Sequence, residues 1–169
     1  MAKKTIHYTW KKAQAFRKGR NYSIRNIILH STDGREQGDV ATLTGKKVSV
    51  QWYVTRAGKV YHFVKDEDTA YHAGVVFNPA YNSNDATVGI EQEHFDTKED
   101  WPATQIDKVA QLTAYLLQTH GLKNRDDIKS HAQIAKPKGR KQDPYAYPWN
   151  DFFAKVDGYA KDQWSIVQD

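Results

Sequence analysis

The sequence contains no cysteine. Disulfides and thiolate metal ligands are thereby excluded, so any transition-metal site must be assembled from histidine and carboxylate. No apolar run approaches the roughly 18 residues a membrane-spanning helix needs, and no membrane insertion is expected. The stretch Met1 to Lys12 is basic and polar and has no apolar centre of the secretory type. A chain made and folded in the cytoplasm is therefore expected. There is no internal repeat, low-complexity tract or Gly/Ser-rich linker. One domain over residues 1–169, without a second, separate binding module, is the simplest reading. The His-Glu-x-x-His string of helix-borne zinc peptidases is missing. So are helix-turn-helix, zinc-finger and RNA-recognition signatures, and no nucleic-acid partner is expected. The net charge of +5 favours anionic polymers in general.

What is present argues for a packed domain. Hydrophobic residues make up 39% of the chain and aromatics 12%, too many for a disordered segment. Asn26-Ile27-Ile28-Leu29-His30 reads as a short buried strand ending in a histidine. Val48 to Val54 and Val60 to Val64, separated by Arg56-Ala57-Gly58-Lys59, read as a hairpin. Arg35 to Lys47 is polar and reads as a loop or short helix. Asn82 to Asp85 is a polar loop, and Thr87 to Phe95 a further strand. After Trp101 the period changes. Pro102 suits a first helical turn, Ile106, Val109, Ala110, Thr113, Leu116 and Leu117 follow helical spacing, and Gly121 is a C-terminal stop. A shorter helix is predicted over Asn150 to Tyr159. Strands and helices without regular βαβ alternation predict an α/β fold, a central mixed sheet flanked by helices.

Chemistry rests on His30, His131 and Asp143, none of which is informative alone, because most histidines are structural. Their surroundings are informative. Ile28-Leu29-His30-Ser31-Thr32, the hairpin from Val48 to Gly58, Thr69-Ala70-Tyr71-His72-Ala73-Gly74, Val88-Gly89-Ile90-Glu91, and Ser130-His131 through Lys141-Gln142-Asp143-Pro144 occur in that order, closed by Pro148-Trp149. This arrangement resembles the zinc-dependent N-acetylmuramoyl-L-alanine amidases, which include phage lysozyme-type enzymes, muropeptide-recycling enzymes and peptidoglycan-recognition proteins. The resemblance covers roughly residues 24 to 153.

The resemblance implies one zinc per chain, held by His30, His131 and Asp143. Two histidines and a carboxylate would leave a fourth position open, as a catalytic zinc requires. Glu91 matches the glutamate that some members use as general base. Alternation along a strand would put Glu93 on the same face. Lys141 matches a lysine that stabilises the oxyanion, and its two-residue offset from Asp143 puts both on one side of an extended segment. Tyr71 and His72 match a segment lining the substrate groove, with Glu93 as a further groove residue. The lysozyme-type members carry a catalytic tyrosine in the first hairpin strand. Here that position falls at Val50 or Gln51, with Tyr53 out of register, which favours Glu91. His62 and His94 are competing ligand candidates, and His7 and His120 read as surface residues.

The expected reaction is hydrolysis of the amide between the lactyl group of N-acetylmuramic acid and L-alanine. The expected partner is peptidoglycan or a muropeptide, and the expected state a monomer. A small basic chain without a signal fits a phage or prophage endolysin released through holin-made holes. The alternatives are a cytoplasmic recycling amidase and a non-catalytic recognition module, although recognition modules usually lack the full ligand set.

Overall fold

Ile27, Ile28 and Leu29 are all completely buried, the mark of a strand covered on both faces. The computed structural model, which describes residues 1–169, places them at the heart of a seven-stranded sheet. In chain order the elements are β1 (Lys3–Trp10), β2 (Phe16–Arg17), β3 (Asn26–Leu29), α1 (Glu36–Leu43), β4 (Trp52–Val54), β5 (Val60–His62), β6 (Thr69–Ala70), α2 (Pro79–Asn82), a 3₁₀ turn (Asn84–Ala86), β7 (Thr87–Gln92), α3 (Ala103–His120), β8 (Ile128–Ser130), α4 (His131–Ile134), α5 (Trp149–Tyr159) and β9 (Gln163–Gln168). The sheet order is β8-β3-β7-β4-β5-β1-β9, with β2 and β6 forming a separate pair. Only β4 and β5 run antiparallel within the large sheet; the other neighbours are parallel. This is the mixed sheet flanked by helices that the sequence predicts.

Side-chain alternation separates the two faces. Ile27, Leu29, Trp52, Val54, Val88 and Ile90 join one core with Ile106, Val109 and Leu116 of α3 and Phe152 and Val156 of α5. The predicted apolar spacing of α3 is thus the stripe that covers this face. Gly121 ends the helix in the left-handed conformation, φ 66°, that only glycine adopts without strain. The opposite face carries smaller clusters around Tyr53 and Phe63, and around Ile28 and Ile134. A face closed by small clusters leaves room for a groove, and the candidate site lies there.

Several elements differ from expectation. The basic N-terminus is a strand, joined in parallel to β9 at six positions from Lys3↔Gln163 to Tyr8↔Gln168. Of the two readings open for the polar segment after Arg35, the short helix is the one formed, with only Asp39 and Leu43 buried. The strand predicted to reach Phe95 stops at Gln92. No helix is long and apolar enough to cross a membrane.

Candidate metal centre and groove

Strand register brings the distant candidates together. Leu29 pairs with Ser130 and with Ile90. One residue further along three parallel strands stand His131, His30 and Glu91, and Glu91 pairs in turn with Tyr53. Neighbouring strands lie about 4.8 Å apart, so this row sets three candidate site residues and Tyr53 side by side on one face. Local chemistry fixes His131. Ser130 caps α4 by accepting from the Gln133 N–H at 3.0 Å, and donates its own N–H to the Gln133 side chain at 2.7 Å. This capping box pins the turn that begins with His131. Asp143 arrives from the loop beyond, where its carbonyl accepts from the Ala132 N–H at 3.0 Å.

The Nδ1 atoms of His30 and His131 are 3.1 Å apart. Asp143 places one carboxylate oxygen 3.3 Å from the first and the other 3.2 Å from the second. The far edges of both rings are occupied: His131 Nε2 lies 3.0 Å from the Ala73 carbonyl, and His30 Nε2 lies 2.9 Å from His72 Nδ1. A carbonyl only accepts, so His131 carries its hydrogen on Nε2 and, when neutral, turns a bare Nδ1 to the centre. Acceptors therefore face one another, an arrangement that calls for a cation. A tetrahedral zinc with arms of 2.0–2.1 Å needs ligand separations of about 3.3–3.4 Å. The three observed spacings fit, and the three residues form one group whose ligating atoms all lie within 4.8 Å.

Electrostatics agree with the geometry. Burial would raise the Asp143 carboxyl, but the His131 and His30 rings in contact with it favour its ionised form and hold it well below the usual range. Burial lowers the pKa of His30 and carries that of His72 well below the ordinary histidine value, with His30 and His131 adding to the fall. Both rings are thus neutral and fit to ligate or to accept. Glu91 is pushed well above the ordinary carboxylate value, first by burial and then by Asp143 and Asp39. Its Oε1 is buried without a hydrogen-bond partner. A cation at the neighbouring cluster would draw its pKa back down.

These residues line a groove of about 420 Å³ with Thr32, Tyr71, His72 and Lys141. A second hollow of about 550 Å³ continues it past Asp143 and Lys141 toward Asp96 and Tyr145. Lys141 is exposed on the groove wall and Tyr71, 37% exposed, presents its ring to solvent. His72 is half-buried in the groove lining, with both ring nitrogens engaged by His30 and Thr87.

Three expectations change here. Glu93 does not share a free strand face with Glu91: the strand has ended, and its two oxygens accept from the backbone N–H groups of Glu36 and Arg56, each at 2.9 Å. Tyr53 is in register with Glu91 rather than turned away, but its hydroxyl donates to Asp39 at 2.6 Å. His120 is not a free surface residue, since its Nε2 lies 3.1 Å from the half-buried Asp66. His7 is exposed as expected. His62 and His94 stack on Trp52 and Trp101, at centroid distances of 3.6 and 3.8 Å, and neither joins the centre.

Sequence reasoning passed over Asn84, Thr87 and Asp39. Asn84 accepts with one oxygen from the N–H groups of both His72 and Ala73, at 3.0 and 2.8 Å. Asp39 gathers Tyr53 and Thr32. Only the Ser130-x-x-Gln133 capping signature beside His131 was open to reading in the chain.

A model of the family described as N-acetylmuramoyl-L-alanine amidase (Amidase_2) matches residues 5–146. The match begins in β1, well before the resemblance expected from the motifs. N-acetylmuramoyl-L-alanine amidase AmiD of Escherichia coli K12 is 27% identical over 143 residues, which cover 75% of this chain and 51% of AmiD. The 1,6-anhydro-N-acetylmuramyl-L-alanine amidase AmpD of Haemophilus influenzae is 30% identical over 112 residues, covering 65% of this chain and 59% of that protein. The chain thus spans between half and three-fifths of these curated relatives. A crystal structure of a selenomethionine derivative of AmpD superposes with a TM-score of 0.78 at 21% identity, over 88% of this chain and 94% of that one. By the extent of the family match, supported by the shared fold, this chain belongs to the N-acetylmuramoyl-L-alanine amidase family.

Proposed function

We propose that the protein hydrolyses the amide bond between the lactyl group of N-acetylmuramic acid and L-alanine, with zinc held by His30, His131 and Asp143. The observation that carries this reading is the convergence of three acceptor atoms beside a buried, unpartnered Glu91 oxygen in a chain of this family. Zinc at that position supplies a Lewis acid for the scissile carbonyl and makes water more acidic.

The chain's own residues supply the rest. Glu91 takes a proton from the attacking water as the water oxygen bonds to the lactyl carbonyl carbon. Lys141, on the wall of the same groove, offsets the negative charge that grows on the carbonyl oxygen. As the carbon–nitrogen bond breaks, Glu91 passes the proton to the departing nitrogen, leaving a lactyl carboxylic acid and a peptide with a free amine. Tyr71 offers an exposed ring against which a sugar face can pack.

The relatives' names favour a soluble anhydromuramyl peptide as substrate, the recycling reading. The net charge of +5 favours an anionic wall, the endolysin reading. Purified protein, stripped of metal and reloaded with zinc, is expected to release peptide from a soluble anhydromuropeptide only when loaded, as followed by mass spectrometry. Tight muropeptide binding without cleavage by the zinc-loaded protein would replace the reading with pure recognition. Clearing of a murein suspension, run in parallel, separates wall lysis from recycling.

A further inference from the structure

We propose that His72, Thr87 and the Ser83 carbonyl form a hydrogen-bond relay of fixed direction that sets the tautomer of His30 and so presents its Nδ1 to the metal. This rests on the reading of His30 as a zinc ligand. The relay makes His72 a positioning residue rather than one that touches substrate.

The direction follows from the far end. The Thr87 hydroxyl donates to the Ser83 carbonyl at 2.9 Å, and a carbonyl cannot return a hydrogen. Thr87 Oγ1, with its hydrogen so committed, accepts at 3.2 Å from His72 Nε2. Neutral His72, with its hydrogen on Nε2, then has a bare Nδ1, and this atom lies 2.9 Å from His30 Nε2. His30 must hold its hydrogen there and leave Nδ1 as a lone pair, 3.1 Å from His131 Nδ1 and 3.3 Å from Asp143. The opposite tautomer would point a hydrogen at the metal position and set two lone pairs against each other behind the ring. A neutral second imidazole behind a ligand replaces the carboxylate or carbonyl that more often does this work.

The chain builds room for this ring. Gly89 is an interior residue of β7, where glycine weakens a strand and often marks close approach by another group. A Cβ added there would lie 2.8 Å from His72 Nδ1 and 2.9 Å from its Cε1. The imidazole of His72 thus occupies the space a side chain would take. Thr87, Gly89 and Glu91 alternate onto one face of β7. The first anchors His72, the second admits it, and the third stands beside the metal cluster. Asn84 fixes the backbone of His72 from the other side.

Thr87→Val keeps the shape and removes the hydroxyl. It is expected to weaken zinc binding by about 10- to 100-fold, as loss of an outer partner of a ligating histidine does, measured by competition with a chromophoric chelator. Thr87→Ser is expected to restore binding, a rescue that a purely packing role would not give. Nitrogen-15 spectra of the zinc-free protein should place the His30 hydrogen on Nε2 in the wild type and shift it partly to Nδ1 in Thr87→Val. Unchanged zinc affinity in Thr87→Val, or a wild-type His30 protonated on Nδ1, overturns the relay even if the protein cleaves its substrate. A wild type that binds no zinc overturns the metal reading itself, and the relay with it. The wild-type spectrum keeps the test open should Thr87→Val fail to fold.

Discussion

Two histidines and an aspartate meet twice in this protein, on opposite faces of one sheet. On the groove face, His30 and His131 turn their Nδ1 atoms toward each other and toward Asp143, so acceptors converge. On the helix face, Asp66 receives Trp52 Nε1 at 2.8 Å, and His120 Nε2 lies 3.1 Å from its other oxygen. His62 is further off, at 3.6 Å, and stacked flat on Trp52. Here a carboxylate is surrounded by donors and tethers the end of α3 to the hairpin. In both clusters the carboxyl is held low against burial, Asp66 at about 2 by the hydrogen bond from His120 and the nearby His62 ring. Residue types and shifted acidity are therefore common to both. What separates a candidate metal centre from a structural clasp is which ring edge faces inward, and that is decided by what occupies the outer edge.

The sharpest way to break the comparison is to remove one histidine from each cluster. His131→Ala is expected to abolish zinc retention and peptide release together, since two ligands no longer enclose the ion. His62→Ala should retain one zinc per chain. Metal analysis of both purified variants checks this, and zinc loss in His62→Ala would sink the distinction. Next in size is Glu91→Gln. It should keep zinc but lower turnover by roughly 10²-fold or more if Glu91 carries the proton. Full activity in that variant would reassign the role.

The helix-face cluster predicts a stability effect instead. The Asp66 carboxyl titrates at about 2 in the folded protein against 3.8 for the free group. A depressed value contributes stability above the unfolded value, and that contribution disappears as pH falls through the folded one. The window is therefore pH 4 down to pH 2, and the amount about 2 kcal/mol. Urea unfolding across that range should show the loss in the wild type and a flatter profile in Asp66→Asn. Zinc content in Asp66→Asn should be unaffected at neutral pH, where the two faces act separately.

Local signals in the chain were readable where one element sufficed. The spacing from Ile106 to Leu117 and the stop at Gly121 define α3 because a helix needs no distant partner to show its period. The apolar run at Ile27 likewise announces a doubly covered strand. Pairings across the chain leave no such mark. In β1 only Ile6 is buried, and its partner β9 lies some 160 residues away, so the N-terminus reads as a polar tail. Glu93 looked like a repeat of Glu91 because alternation was extended past Gln92, where the backbone leaves the sheet. The candidate metal residues were legible only through the strings around them. The relay behind His30 joins segments from three parts of the chain and has no spacing to read, although Gly89 in an otherwise β-branched stretch was a visible sign of crowding.

Tyr53 provides the finest test of how orientation outranks position. It stands beside Glu91 in the same row, and by position alone it could serve as a proton carrier. Its hydroxyl, however, points to Asp39, which also accepts from Thr32 at 2.7 Å. Burial and then the Asp39 hydrogen bond push the phenol far above its ordinary value. A proton held that firmly is of no use to a departing amine near neutral pH. Tyr53→Phe should therefore cost about 1 kcal/mol of stability, the usual net value of one hydrogen bond, and leave turnover close to wild type. The same assay on Tyr53→Phe and Glu91→Gln decides between neighbours a single strand spacing apart. A loss in Tyr53→Phe matching the roughly 10²-fold expected of a proton shuttle would mean that the Asp39 bond opens when substrate binds, and that position had prevailed over orientation.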